Sequence, residues 1–209
     1  MNAVSFRPLH DEPVPPFAAP AWLRNPHLQT LYASCFARCP RVGWKRTRWS
    51  TPDGDFLDLD WLMSRRGTPR AAPPSPAPLI VLFHGLEGNS RSHYARTLMH
   101  AIDNLGWRGV VVHFRGCSGE PNRLARAYHS GDSAEIDWIL GRLRAEQGGP
   151  LAAVAVSLGG NALLKWLGER GAAAGAVVDA ACAVSAPVDL VSAGAALGGG
   201  FNRIYTWNF

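Results

Sequence analysis

The second half of the chain alternates short, mostly apolar runs with segments in which apolar residues recur every three or four positions. The apolar runs are Leu79–Phe83, Gly109–Phe114, Leu151–Val156 and Ala180–Ser185. Strands that are buried on both faces have this continuous apolar pattern, and strands that alternate with helices form right-handed βαβ units. The pattern therefore predicts an α/β fold with a mostly parallel, doubly wound sheet.

Helix-like segments lie between the apolar runs, and two of them carry end signals. One segment begins after Ser92, a candidate N-cap, and ends at Gly106, with apolar positions at Tyr94, Leu98, Ala101, Ile102 and Leu105. The next begins at Asp132, which together with Glu135 resembles a capping box, and its apolar face comprises Ile136, Ile139, Leu140 and Leu143. A third helix is predicted over Leu158–Glu169.

The chain before the first apolar run has a different pattern. Residues 1–40 are proline-rich and then aromatic, and they are predicted to form an N-terminal arm with a short helix near His27–Phe36. Residues 41–209 are predicted to form one α/β domain. Within it, Val42–Ser50 and Phe56–Met63 flank the turn-forming sequence Thr-Pro-Asp-Gly and predict a β-hairpin.

Composition and charge reduce the number of functional classes to which the protein can belong. A chain of 209 residues with 47% apolar and 18% charged residues is typical of one soluble globular domain. The formal net charge of +5 is scattered along the chain, so nucleic-acid binding is not expected. The four cysteines fit neither a disulfide framework nor a zinc site. Neither a metal nor an organic cofactor is expected.

The N-terminal sequence and the remaining apolar segments bear on location. Residues 1–17 contain no apolar stretch of the kind found in signal peptides. The alanine- and glycine-rich segment Gly171–Gly200 is interrupted by Asp179, Pro187 and Asp189, so we expect no integral membrane segment. Free thiols fit a reducing compartment, and a cytoplasmic location is expected.

Ser157 is the strongest candidate for chemistry. It lies where the apolar run Leu151–Val156 ends and a helix begins, and functional residues of parallel sheets lie at the carboxyl ends of strands. A serine nucleophile on such a turn requires small residues two positions before and after it. Gly159 meets this requirement, and Ala155 is the smallest departure from the G-x-S-x-G pattern. The alternative is a serine that only caps the helix.

A second motif follows the first apolar run. The sequence HGLEG, at His84–Gly88, has two glycines that permit a tight bend close to a substrate. In serine hydrolases this loop supplies one oxyanion-hole amide, here assigned to Leu86, and the residue after the nucleophile, Leu158, supplies the other. His84 is interpreted as a structural hydrogen-bonding residue rather than a base. The glycine-rich sequence His113–Asn122 is expected to form one wall of the cleft.

Five motifs together resemble the YheT-like branch of the α/β-hydrolases, which are relatives of the abhydrolase-domain esterases and lipases. The motifs are WLRNPHLQTLY (Trp22–Tyr32), HGLEGNSRSHY (His84–Tyr94), HFRGCSGEPNR (His113–Arg123), YHSGD (Tyr128–Asp132) and VSLGGN (Val156–Asn161). The resemblance implies an α/β-hydrolase fold and a carboxylic-ester hydrolase with a Ser-Asp-His triad, no metal or cofactor, and a small-molecule ester as substrate. It maps the nucleophile onto Ser157 and the oxyanion-loop donor onto Leu86.

The triad implied by this resemblance is incomplete in the sequence. In this fold the acid and the histidine follow the serine along the chain, yet all seven histidines precede Ser157. Asp179 and Asp189 are the only aspartates after it, and neither is assigned to the triad. We therefore expect the triad Asp and His beyond residue 209, with this chain forming the N-terminal two-thirds of the fold and lacking its last strands and helices.

Three functions stay open at this level. The first is ester hydrolysis through an acyl-enzyme on Ser157. The second is a truncated product that is catalytically inactive or acts as a binding module, since a serine hydroxyl without a base is a poor nucleophile. The third is an acyltransferase that uses the same site but passes the acyl group to an alcohol.

Overall fold

The computed structural model describes residue 16 and residues 18–36, 38–63 and 77–198. The chain divides into two units between Arg38 and Cys39. In the first unit a short 3₁₀ helix, Ala21–Leu23, precedes α1 (Pro26–Cys35). The side chain of Asn25 accepts a hydrogen bond of 2.9 Å from the backbone N–H of His27, so α1 begins with a side-chain cap. The short helix predicted in this region is confirmed.

The described part of the second unit contains six strands and four α-helices. The strands are β1 (Gly43–Ser50), β2 (Phe56–Met63), β3 (Leu79–Phe83), β4 (Arg108–Val112), β5 (Leu151–Val156) and β6 (Ala180–Val184). The helices are α2 (His93–Leu105), α3 (Ser133–Glu146), α4 (Leu158–Arg170) and α5 (Leu190–Gly198), with a 3₁₀ helix at Gly171–Ala176. None of the described helices is both long and apolar enough to cross a membrane.

The strands form one sheet in the order β1-β2-β4-β3-β5-β6. β4, β3, β5 and β6 run parallel to one another, whereas β1 and β2 form an antiparallel hairpin that joins the sheet at β4. The hairpin turn is closed by a hydrogen bond of 3.0 Å from the Gly54 N–H to the Thr51 carbonyl. Gly54 adopts a φ of 86°, which favours glycine. Both the α/β fold and the hairpin predicted from the sequence are confirmed.

Alternate side chains of β3 enter two separate cores, one on each face of the sheet. Leu79, Val81 and Phe83 lie in the larger core, which also contains buried residues of α3 and α4. Ile80 and Leu82 lie in the smaller core, which α2 completes. Because successive strand side chains point to opposite faces, a strand covered by helices on both sides must be apolar throughout. The doubly wound arrangement explains the LIVLF sequence.

The apolar face predicted for α2 is wrong in part. Ala101 is exposed and Leu105 is 57% exposed, although both were expected to face the core. The helix instead buries Ala95 and Met99 together with Ile102. The buried face is therefore shifted from the predicted one, and the Met99 Sδ lies in the space that Gly109 of β4 leaves.

The predicted helix starts are correct, and α2 ends at Gly106 as predicted, but the predicted side-chain N-caps are wrong. Ser92 makes no side-chain hydrogen bond to α2, since its hydroxyl accepts the N–H of Asn89. Asp132 makes none to α3, because Asp132 and Glu135 both bind arginines of the loop after β4. Charge-assisted hydrogen bonds of this kind are stronger than those to a neutral amide. β4 and β6 also end earlier than predicted, since His113 and Ser185 belong to loops.

Candidate active site

Ser157 lies on the turn between β5 and α4, in the strand-to-helix context that the sequence predicts. Its backbone has φ 52° and ψ −117°, a left-handed conformation that is strained for a residue with a side chain. The turn is held by hydrogen bonds from the Ser157 N–H to the Val184 carbonyl and from the Asn161 N–H to the Ser157 carbonyl, of 2.9 and 3.0 Å. The Ser157 Oγ makes no hydrogen bond to another described residue, so the hydroxyl is uncommitted.

The loop after β3 lies directly against this turn. β3 and β5 are neighbours, with Phe83 opposite Ala155. A Cβ built on Gly85 would lie 3.2 Å from the Ser157 Cβ, and one built on Gly159 would lie 2.5 Å from the His84 carbonyl oxygen. The glycine two positions after the serine is therefore required by the close approach of another backbone. The two predicted motifs, HGLEG and VSLGGN, meet at one point of the sheet edge.

The two amides predicted as oxyanion-hole donors are both uncommitted. Within the described residues, neither the Leu86 N–H nor the Leu158 N–H donates to a protein acceptor, whereas the N–H groups of Gly85, Glu87 and Gly88 all do. Leu158 is the first residue of α4, where backbone N–H groups lack acceptors within the helix and the helix dipole favours negative charge. Two free donors thus belong to the two loops that meet at Ser157.

His84 is a structural residue, as the sequence analysis proposed. It is fully buried; its Nδ1 lies 2.7 Å from the Gly85 carbonyl oxygen, and its Nε2 accepts the Phe114 N–H at 3.0 Å. These partners fix a neutral tautomer with the proton on Nδ1. Burial lowers the pKa of His84 to about 4. The neutral ring therefore links the loop after β3 to the loop after β4 and takes no part as a base.

The loop after β4 is anchored to β2 through Asp60, a residue that was not among the predicted site residues. The carboxylate accepts hydrogen bonds from Arg46 at 2.7 and 2.9 Å, from Ser90 at 2.6 Å and from His113 at 2.9 Å. Burial alone would raise the pKa of Asp60, but the Arg46, His113 and Ser90 hydrogen bonds hold it far below its usual range. Asp60 is therefore ionised and ties together β1, β2 and the loops after β3 and β4.

A second buried carboxylate, Asp55, holds the far end of the same loop. It accepts hydrogen bonds from the N–H of Arg123 at 3.0 Å and from the side chain of Asn122 at 2.9 Å. Its other oxygen faces the buried guanidinium of Arg115 at 3.2 Å, which also binds Glu135 at 2.8 Å. Burial opposes ionisation of Asp55, yet hydrogen bonds from the Asn122 side chain and from the backbone N–H groups of Arg123, Phe56 and Leu124 lower its pKa to about 2. The loop is thus held by buried ion pairs in addition to the apolar contacts of Phe114 and Cys117.

Replacing Asp55 by asparagine is expected to destabilise the protein by about 3 kcal/mol at pH 7, because it removes one partner of a buried ion pair. The pKa of Asp55 is lowered in the folded state, so its ionised form contributes stability that is complete above about pH 4 and is lost as the pH falls towards about 2. Urea denaturation between pH 2 and pH 7 measures both effects. The variant should lose less stability than the wild type over the acid range.

Glu146→Gln is the matched control for charge removal, since Glu146 forms an exposed ion pair with Arg142 on α3. It should change the free energy of unfolding by less than about 1 kcal/mol. Equal stabilities of Asp55→Asn and Glu146→Gln at pH 7 would contradict the role given to Asp55.

A cavity of about 210 Å³ lies between the loops after β3 and β4. Its lining includes Glu87 and Ser90 from one loop and Cys117 from the other, but not Ser157. Part of the sequence His113–Asn122 therefore lines a cavity against the loop of Leu86, and its place as a wall of an active-site cleft stays a prediction. Burial raises the pKa of the Cys117 thiol to about 11, so this cysteine is protonated at neutral pH.

The two aspartates that follow Ser157 have structural partners. Asp179 precedes β6, at the opposite end of the parallel strands from Ser157, and accepts the N–H of Leu151 at 2.7 Å. Asp189 accepts the N–H of Ser192 at 3.0 Å at the start of α5. These positions agree with leaving both residues out of the triad. Among the described residues, no group of three or more His, Cys, Asp or Glu side chains has the geometry to hold a metal ion.

The model of the alpha/beta hydrolase fold family matches residues 78–207. Among curated proteins, the chain is 44% identical over 182 residues to the protein named "Putative esterase YheT" of Escherichia coli (strain K12), an alignment that covers 87% of this chain and 51% of that protein. It is 30% identical over 151 residues to "Phospholipase ABHD3" of Mus musculus, covering 72% of this chain and 36% of that one.

Among solved structures, the esterase Pf2001 of Pyrococcus furiosus superposes with a TM-score of 0.58 at 16% identity, over 79% of this chain and 60% of that one. At this identity the likeness concerns the fold alone. The chain spans about half the length of YheT, or less for the phospholipase. With the family model, the sheet order and the YheT similarity in agreement, the chain belongs to the alpha/beta hydrolase fold family, in its YheT-like branch.

Proposed function

We propose that the full-length protein, meaning this chain with whatever sequence its gene encodes around it, hydrolyses carboxylic esters through an acyl-enzyme on Ser157. The observation that carries the proposal is the left-handed backbone of Ser157, with φ 52°, placed beside the uncommitted amides of Leu86 and Leu158. Within the described residues, the serine hydroxyl and both amides have no protein partner, so they can supply the nucleophile and the oxyanion donors of acyl transfer, which also needs a base. The proposal makes the enzyme a member of the esterase and lipase group within its family.

In the proposed reaction, the Ser157 Oγ forms a bond to the carbonyl carbon of the ester while its proton passes to a base. The carbonyl oxygen becomes an oxyanion and accepts hydrogen bonds from the N–H groups of Leu86 and Leu158. The bond to the alcohol oxygen then breaks, and the alcohol leaves with the proton from the base. Water attacks the acyl-enzyme in the same way, which releases the carboxylic acid and restores the serine hydroxyl.

The base and the acid that orients it stay predictions. All seven histidines precede Ser157, whereas the order Ser, Asp, His is typical of this fold. We infer that a later Asp and His complete the triad, in agreement with relatives that extend well beyond the aligned region. A small-molecule ester as substrate is supported by the names of the relatives, one an esterase and one a phospholipase. The cytoplasmic location also stays a prediction.

Labelling with a fluorophosphonate probe tests the proposal, because such probes form a covalent bond to an activated serine oxygen. The full-length protein should incorporate one probe, and peptide mass spectrometry should place it on Ser157. Heat-denatured protein is the control and should not react. Absence of labelling in the native full-length protein, or labelling that persists in Ser157→Ala, would overturn the proposal. Product analysis with an added alcohol then separates hydrolysis from acyl transfer.

A further inference from the structure

Two tyrosine hydroxyls accept hydrogen bonds from the backbone amides on either side of Leu86. The Gly85 N–H donates to the Tyr94 hydroxyl at 3.0 Å, and the Glu87 N–H donates to the Tyr128 hydroxyl at 2.8 Å. The tyrosines come from different elements, since Tyr94 lies in the first turn of α2 and Tyr128 lies in the loop between β4 and α3. The candidate oxyanion donor is therefore held between two side-chain acceptors.

Tyr128 also constrains the conformation of Glu87. Its hydroxyl donates to the Glu87 Oε1 at 2.7 Å, so one tyrosine binds both the amide and the carboxylate of the same residue. Glu87 needs such support because its φ of 51° is left-handed and strained. The ring of Tyr128 stacks on Phe114 at a centroid distance of 5.3 Å, which fixes where the hydroxyl lies.

The Tyr94 hydroxyl fills the space that Gly88 leaves by having no side chain. A Cβ on Gly88 would lie 2.9 Å from the His84 Cβ and would also collide with the Tyr94 hydroxyl. The glycine thus leaves room for the hydroxyl to reach the Gly85 N–H. The glycine at position 88 and the tyrosine at position 94 are therefore sterically complementary.

The direction of the Leu86 N–H follows from the planarity of its peptide. The Gly85 carbonyl belongs to the same peptide unit as the Leu86 N–H and points the opposite way. This carbonyl accepts the Gly88 N–H at 3.0 Å and lies 2.7 Å from the His84 Nδ1. The Leu86 N–H therefore points away from the interior of the loop, where His84 and Gly88 bind the carbonyl.

We propose that Tyr94 and Tyr128 are positioning residues for the oxyanion hole. Their hydroxyls satisfy the amides of Gly85 and Glu87, hold the strained loop in one conformation, and leave the Leu86 amide as the free donor of that loop. The inference rests on the proposed function, because it gives the tyrosines this role only if Leu86 stabilises an oxyanion.

Hydrogen exchange of single backbone amides in the full-length protein tests the geometry. In the wild type, the amides of Gly85 and Glu87 should exchange at least tenfold more slowly than that of Leu86. Tyr128→Phe keeps the ring and should accelerate exchange at Glu87, whereas Tyr94→Phe should accelerate it at Gly85. Tyr32→Phe is the control, since the Tyr32 hydroxyl makes no hydrogen bond to another described residue. Unchanged exchange at Gly85 and Glu87 in the respective variants would overturn the proposal.

Steady-state kinetics of the full-length protein test the catalytic consequence. Direct loss of an oxyanion donor costs ~10²–10³ in rate, so a displaced donor should cost about tenfold in kcat for each tyrosine variant, with KM unchanged. A raised KM with unaltered kcat, or an unaltered kcat in both variants, would overturn the positioning role and leave the esterase proposal intact. A wild-type protein that neither turns over esters nor labels at Ser157 would overturn both.

Discussion

Changing Ser157 to alanine is expected to lower ester turnover by the full-length protein about 10⁶-fold, the size of effect that loss of a triad serine has in other serine hydrolases. The physical reason is that alanine cannot form the acyl-enzyme, so water must attack the ester directly. Residual catalysis of about 10³–10⁴ over the uncatalysed reaction should persist, because the Leu86 and Leu158 amides can still bind the oxyanion. Hydrolysis of a chromogenic ester measures turnover.

Ser185→Ala is the matched control for this experiment. Ser185 also follows a strand of the sheet and also has a left-handed backbone, with φ 50°, but it is not followed by the glycine-rich turn of Ser157. It should keep turnover within a few-fold of the wild type. If Ser157→Ala retained more than about a hundredth of wild-type turnover, a nucleophile other than Ser157 would have to be sought. Equal losses in both variants would point to damage to the strand ends rather than to a lost nucleophile.

The sheet could be predicted because burial of a strand on both faces produces a continuous apolar pattern in the local sequence. In LIVLF each residue must be apolar, since odd and even positions enter different cores. The apolar residues Ile136, Ile139, Leu140 and Leu143 likewise recur at helical spacing, and all four are fully buried in α3. These signals need no knowledge of distant parts of the chain, so they can be derived from a single sequence.

The ion pairs that hold the loop after β4 produce no comparable pattern in the local sequence. Asp60 meets His113 across 53 positions of the chain, and Arg115 meets Asp55 across 60. In the sequence Asp55 follows a turn and Asp60 alternates with apolar residues along a hairpin strand, as exposed carboxylates do, yet both are buried. Arg115 also binds Glu135, and Arg126 binds Asp132, so neither carboxylate forms the cap that local sequence predicts. Pairings of this kind depend on tertiary structure and override local preference.

In the candidate site, too, some contacts could be predicted from local sequence and others depend on tertiary structure. The contacts between HGLEG and the turn of Ser157 could be predicted, because the glycines of both motifs meet a backbone requirement that sequence displays directly. Tyr94 and Tyr128 could not, although both lie in motifs that carry the family resemblance. Their partners, Gly85 and Glu87, are 9 and 41 positions away, and a tyrosine in a motif does not reveal which amide its hydroxyl binds.

Gly159→Ala is expected to destabilise the protein by about 3 kcal/mol or more, against the direction of helix propensity. Alanine is favoured over glycine inside a helix by about 1 kcal/mol, and Gly159 lies in α4. The added methyl group would nevertheless lie 2.5 Å from the His84 carbonyl oxygen and 2.9 Å from that of Phe83. Phe83 is completely buried in a strand paired on both sides, so this backbone cannot move without loss of sheet contacts.

Gly168→Ala in the same helix is the control that separates the steric cost of the added methyl group from the helix propensity of alanine. A Cβ at Gly168 meets no heavy atom within 4 Å, so this variant should gain up to about 1 kcal/mol. Urea denaturation followed by circular dichroism gives both free energies of unfolding, and the fluorophosphonate probe reports the site. Gly159→Ala should lose stability and Ser157 labelling together, because the methyl group separates the two loops that bring Leu86 to the serine. Equal stabilisation by both substitutions would contradict the contact between the His84 carbonyl and α4, and with it the geometry proposed for the oxyanion hole.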